Sequence, residues 1–276
     1  MTPSPSLTFA LASSLFEAQL PADRQPTWAD FRAKAVDGGL GWLEVHFAAT
    51  LRKIGREALT GGLIQNDQAA IIAESFRLCD LAAPLLFDAA GIANDGDAIF
   101  RLYERGDHEE RRMILKALTL LPVMPVSIRL LQEAHRTNDG NIFIAAFADT
   151  DLPARALDDD DFARGILKAA FTDLSLDRIL GASKRATPEL SRMLLDFMSE
   201  REAAHRPVWA GSIELAAFAP CPGVLAKVTG DLWSGVDARR LAAIRAAKTL
   251  NDPRFESEFE ARRQIEPHLP IRKALN

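Results

Sequence analysis

Between positions 168 and 196 the chain gathers Lys168, Arg185, Glu189, Arg192 and Asp196, a mixture of cations and carboxylates that could hold a polar or phosphorylated ligand. A second group, Arg136, Asn138 and Asn141, adds a guanidinium and two amides suited to lining a polar pocket. Each group also has a plainer reading. Glu189, Arg192 and Asp196 are spaced three and four apart, so on a helix they pair along its surface for about 0.2 to 0.5 kcal/mol each. Asn138 can end one helix in left-handed geometry, and Asn141 can cap the next.

Other chemistry is poorly supplied. Asp158 to Asp161 invite a magnesium site on carboxylate oxygens, but they directly precede the apolar period Phe162, Ile166, Ala169 and Ala170, where acidic residues cap a helix and favour its dipole. The histidines, His46, His108, His135, His205 and His268, are scattered without metal-ligand spacing. His46, near Trp42, Leu43 and Phe47, reads as a histidine at a core margin. Gly38, Gly39 and Gly41, and the pair Gly61-Gly62, lack the Lys-Ser/Thr of a phosphate loop and read as turns. There is no Gly-x-Ser-x-Gly elbow. The sequence thus assigns no catalytic residue, no metal ligand and no cofactor.

The elements that must position these residues are helical. Thr187, Pro188 and Glu189 form a strong helix start, and Leu190, Met193, Leu194, Phe197 and Met198 then recur on one face. Helical periodicity also runs over residues 27–35, 40–59, 67–89, 95–104, 107–121, 125–136, 141–148, 160–171, 210–218, 238–250 and 253–264, whereas strand signals are nearly absent. Asp107 and Glu110 have capping-box spacing, Pro122 stops that helix and Pro125 starts its partner. Asp237 and Asn251-Asp252-Pro253 repeat this helix, turn, helix syntax. The expected fold is all-α, an irregular HEAT-like solenoid or superhelical array with a compact bundle as the alternative, in a single domain spanning 1–276. Residues 148–161 are the best candidate for a loop.

Composition narrows the partners. With 276 residues, 48% of them hydrophobic, the chain can bury a large core. A net charge of −5 argues against a nucleic-acid binder, which needs a concentrated basic surface. Cys79 and Cys221, in apolar surroundings, read as reduced and buried thiols. The stretch 1–20 lacks a basic leader, and no run approaches the ~20 apolar residues a membrane span requires. These features point to the cytoplasm.

Arg136-Thr137-Asn138, the helix from Asn141 to Phe147, Leu167 to Phe171, Leu176 to Gly181 and Arg185 to Leu190 continuing to Arg206 together resemble the EboA family, best over residues 107–210. The resemblance implies metabolite traffic in a bacterial secondary-metabolite setting. Its partners would be a small metabolite or pathway enzymes, including an inner-membrane prenyltransferase of the UbiA type. It implies no established catalytic residues. After Ala148 the chain departs from the family pattern, with Asp149-Thr150-Asp151-Leu152-Pro153 in place of an Asn-Pro-aromatic-Pro turn. The leading expectation is a non-catalytic protein binding a metabolite precursor or pathway partners on a surface lined by the eight residues named at the outset. The alternatives are a magnesium-dependent enzyme acting on a prenylated or cyclitol-like phosphate, and a pure protein scaffold.

Overall fold

The computed structural model of the chain describes residues 7–276, so residues 1–6 of the stretch read for a leader lie outside it. The protein is all-α, with one two-stranded sheet among the described residues. Its contacts group into two units, one of residues 1–162 with 178–180 and the other of 163–177 with 181–276.

The first unit is built around a helix that is apolar on every side. It contains α1 (Leu7–Gln19), α2 (Gln25–His46), α3 (Thr50–Lys53), the strands β1 (Leu63–Gln65) and β2 (Ala70–Ile72), then α4 (Leu78–Ala89), α5 (Gly96–Arg105), α6 (His108–Leu118), α7 (Pro125–Arg136), α8 (Gly140–Phe147), α9 (Leu152–Ala156) and the start of α10 (Asp159–Phe171). Every residue of α4 from Leu78 to Phe87 is buried, as expected of a helix packed on all faces by α1, α2 and α6. Phe16, Ile71, Phe76, Leu81 and Leu85 form one part of the core. Phe143 and Phe147 of α8 stack with centroids 4.9 Å apart. Each such aromatic contributes about 1.5 to 3 kcal/mol by leaving water.

Two expected helices of this unit are corrected. The period over 67–89 begins instead as a hairpin, with Leu63 opposite Ile72 and Gln65 opposite Ala70, and helix starts only at Leu78. The local chemistry explains this: the Asn66 side chain accepts from the Gln68 and Ala69 amides to make the turn, and Ile64, Ile71 and Ile72 are β-branched. The period over 40–59 stops at Lys53, because Gly55 has a φ of 122° and the next residues pair in extended form, the Leu59 amide donating to the Phe76 carbonyl. Residues 148–161, expected as a loop, hold α9 and a positive φ of 63° at Asp149.

The second unit comprises the remainder of α10, α11 (Pro188–Ala203), α12 (Gly211–Ala216), α13 (Val224–Leu232), α14 (Asp237–Leu250), α15 (Arg254–Ile265) and α16 (Leu269–Ala274). Met198, Ile213, Val228, Leu232, Ile244, Phe255 and Ile271 form its core. The start of α11 follows the sequence expectation: Thr187 Oγ1 accepts from the Leu190 amide, Leu190, Leu194 and Met198 are buried, and Glu189, Arg192 and Asp196 face solvent. At Gly211 a Cβ would lie 2.5 Å from the Trp209 ring, so α12 can approach that indole only with glycine there. Arg240 and Glu266 make a buried bidentate pair, at 2.9 and 3.0 Å. Cys79 is buried, but Cys221 is only partly so, because it sits on the turn before α13 rather than inside a helix face.

Candidate small-molecule site

Four helix ends of the first unit surround a cavity of about 520 Å³. It is lined by Tyr103 and Gly106 at the end of α5, Asp107, His108 and Arg111 at the start of α6, Glu133 and Thr137 at the end of α7, and Asp139 and Ile142 around the start of α8. Each side chain is fixed locally. Asp107 Oδ1 accepts from the Glu110 amide while Glu110 reaches back to the Asp107 amide, which anchors His108 in the first turn. Arg111 donates to the Tyr103 and Glu104 carbonyls, closing the exposed end of α5, and its guanidinium lies 5.4 Å from the Tyr103 ring centre.

Asp139 is the pivot of the site. Its Oδ1 caps α8, accepting from the Asn141 and Ile142 amides, and its Oδ2 stands 3.0 Å from His108 Nε2. Desolvation works against its ionisation, yet the two amides and His108 hold its carboxyl below the usual range. Tyr103 is only 8% exposed; burial raises its pKa, and among the described residues no protein group bonds its hydroxyl. The pocket therefore presents a phenol, an imidazole held by a carboxylate, and the carboxylate of Glu133. The arrangement suits the binding of a small polar molecule.

The first unit also holds a buried polar network that periodicity alone does not reveal. Asp80, fully buried on α4, accepts from Arg77 and, on both its oxygens, from Nη1 of Arg112, and Arg77 also reaches Glu109 at 2.6 Å. Asp149 pairs with Arg178 at 2.6 Å, and the hydroxyls of Thr119 and Thr150 meet at 2.6 Å. Lys116, 2% exposed, donates to the Ala148 carbonyl at 3.0 Å. Residues 149–151, where the sequence departs from the family turn, are thus woven into this network and into the strand: the Ile72 amide donates to the Asp149 carbonyl.

The eight residues singled out from the sequence fall in both units. Arg136, Asn138 and Asn141 belong to the first, and Lys168, Arg185, Glu189, Arg192 and Asp196 to the second. Arg136 and Asn138 are exposed at the α7–α8 turn, beside the pocket-lining Thr137 and Asp139. Asn138 does not end α7 in left-handed geometry and Asn141 does not cap α8; the helix begins at Gly140, so the cap position falls on Asp139 and Asn141 lies inside the first turn. Left-handed geometry at a helix end is taken instead by Asn251. Glu189, Arg192 and Asp196 come together as an exposed ladder, at 2.5 and 3.0 Å. Lys168 is half-buried and its pKa is lowered by desolvation.

The acidic run Asp158 to Asp161 acts as a helix start: Asp158 Oδ1 accepts from the Asp161 amide, and Asp161 is buried against Gln132. Among the described residues no group of three or more His, Cys, Asp or Glu is placed to hold a metal ion. Sequence reasoning passed over His108, Tyr103 and Arg111. The signal was the capping box itself, which sets a histidine in the first turn of α6.

A family model described as "Metabolite traffic protein EboA" matches residues 86–215, a segment that contains the whole lining of the cavity. No curated protein and no solved structure matches the chain.

Proposed function

Residues 86–215 match the EboA family model, and on that premise we propose that the chain is a non-catalytic binding protein that takes a small, hydroxyl- or amine-bearing metabolite into the cavity beside His108 and Asp139. The family's description is metabolite traffic, and a carrier needs a site that recognises without reacting. One observation supports this reading above the rest: a cavity of about 520 Å³, within the size range of small-molecule sites, has a largely buried tyrosine and a held His-Asp pair in its wall. The lining carries Asp107, Glu133 and Asp139 against Arg111, whose guanidinium is already engaged by carbonyls. That balance favours hydroxyls and amines over phosphates and carboxylates.

Arg136, Asn138 and Asn141 are proposed as the approach to this cavity. Lys168, Arg185, Glu189, Arg192 and Asp196 are proposed separately as a face for pathway partners, an inner-membrane enzyme among them, with the protein working from the cytoplasm. No helix among the described residues is long and apolar enough to cross a membrane. Titration calorimetry of the purified chain with glucose, glucosamine and inositol, against glucose 6-phosphate and gluconate, tests the site. Binding of the neutral or amino compounds that is lost in Asp139→Asn and Tyr103→Phe supports it. Preference for the phosphate, or binding that survives both changes, overturns it.

A further inference from the structure

A second cavity, of about 490 Å³, continues along the same pair of helices. It is lined by Asn94, Asp95, Gly96, Asp97 and Phe100 on the α5 side and by Met124, Pro125, Val126 and Arg129 on the α7 side. Helices α5 and α7 lie side by side in the same direction. Their starts meet where a Cβ on Gly96 would lie 3.4 Å from Val126, and their ends supply Tyr103 and Glu133 to the polar cavity. Phe100 and Tyr103 are one helical turn apart on α5, as are Arg129 and Glu133 on α7. The two cavities thus draw on the same pair of helices, about one turn apart.

The compartments differ in chemistry. The second sets an apolar stretch, Phe100, Met124, Pro125 and Val126, beside Asn94, Asp95 and Asp97, and it lacks the imidazole, phenol and engaged guanidinium of the first. At the boundary the Arg129 guanidinium lies flat over Phe100, 3.5 Å from the ring centre, while its Nε donates to Glu133 at 3.2 Å. Both side chains of that pair are largely solvent-accessible, 57% and 42% exposed. Such a pair is easily displaced, since exposed i, i+4 pairs are held weakly. An apolar stretch roofed by a movable cation, next to a polar pocket, is matched by one kind of small molecule.

Resting on the polar-site reading above, we propose that the ligand is an amphiphile: its hydroxyl- or amine-bearing head sits beside His108 and Asp139, and its hydrocarbon extension runs past the Arg129–Glu133 pair onto Phe100, Met124 and Val126. The head supplies recognition and the extension supplies affinity, through apolar area removed from water.

The test compares glucose, hexyl β-glucoside and hexanol by calorimetry on the full chain. Hexyl glucoside is expected to bind on the order of tenfold or more tightly than glucose. Met124→Asp, with Phe100→Ala as a second variant and circular dichroism as the check on folding, removes that gain and leaves glucose binding in place. Asp139→Asn removes binding of both sugars. Equal binding of glucose and hexyl glucoside, or a gain that survives both apolar-side variants, overturns the amphiphile and leaves the polar site standing. Hexyl glucoside binding that ignores Asp139→Asn but falls in Met124→Asp overturns the amphiphile and the polar site together.

Discussion

The Lys116 ammonium stands 4.4 Å from the centre of the Phe76 ring and donates to the Ala148 carbonyl at 3.0 Å, so a buried cation is held by an aromatic face and one backbone oxygen. Burial lowers its pKa to about 8; Asp149 and Asp80 pull it up, and Arg112 and Arg178 push it down. Those two carboxylates are already paired with arginines. Lys116 is therefore the least compensated charge of the network.

Its titration gives a signed prediction. In the unfolded chain a lysine keeps its proton to about pH 10.4. Between about 8 and that value the unfolded state binds more protons than the folded one, so this group's contribution to stability rises with pH. Urea unfolding of the wild type and of Lys116→Met across that window is expected to diverge, the wild type gaining on the order of 3 kcal/mol relative to the variant. Parallel curves would show that the amine titrates as it does in water.

Glu266 gives the opposite sign. Burial opposes its charge, but Arg240 and Arg262, with the His268 amide, hold it down at about 2. Its stabilising contribution is complete above the ordinary carboxyl range and disappears as pH falls toward 2. Glu266→Gln should cost about 3 kcal/mol near neutrality, because it leaves the buried Arg240 with only the half-exposed Asp237 as counter-charge. The gap between the two proteins should close in acid; a constant gap from pH 6 to pH 3 would refute the assignment.

The two cysteines should behave differently toward iodoacetamide. Burial, reinforced by the neighbouring Asp80, pushes the Cys79 thiol up to about 12, and the thiolate is the reactive form. At pH 8 in the native protein, mass spectrometry should find Cys221 alkylated and Cys79 untouched. Unfolding in urea should make the two alike.

On α11 the cap outweighs the ladder. Thr187→Ala removes the acceptor for the Leu190 amide and should lower stability by about 1 kcal/mol. Arg192→Ala, whose partners Glu189 and Asp196 are as exposed as it is, should leave the thermal midpoint in place. A large loss from the arginine change would mean that the ladder has a structural partner.

What the sequence exposes, and what it hides, follows from range. Thr187-Pro188, Asp107 with Glu110, and Pro125 are local signals, and the helices begin where those residues put them. The hairpin at 63–72 was hidden because its strands are three residues long, too short to separate a period of two from a period of 3.6. The site was hidden for another reason. Tyr103, His108, Glu133 and Asp139 meet only because four helix ends converge, and no spacing along the chain encodes that. The α7–α8 turn that the resemblance singled out borders the cavity through Thr137 and Asp139.

The division of labour within Asp139 has a consequence for how a ligand would be felt. One oxygen belongs to the backbone of α8 and the other to His108. A molecule that takes over the second oxygen, displacing the imidazole, leaves the first where it is. The acceptor is thus preset before any guest arrives, so occupancy does not have to be repaid by refolding a helix end. Amide exchange at Asn141 and Ile142 should stay slow in empty and filled protein alike, while the imidazole resonances of His108 move.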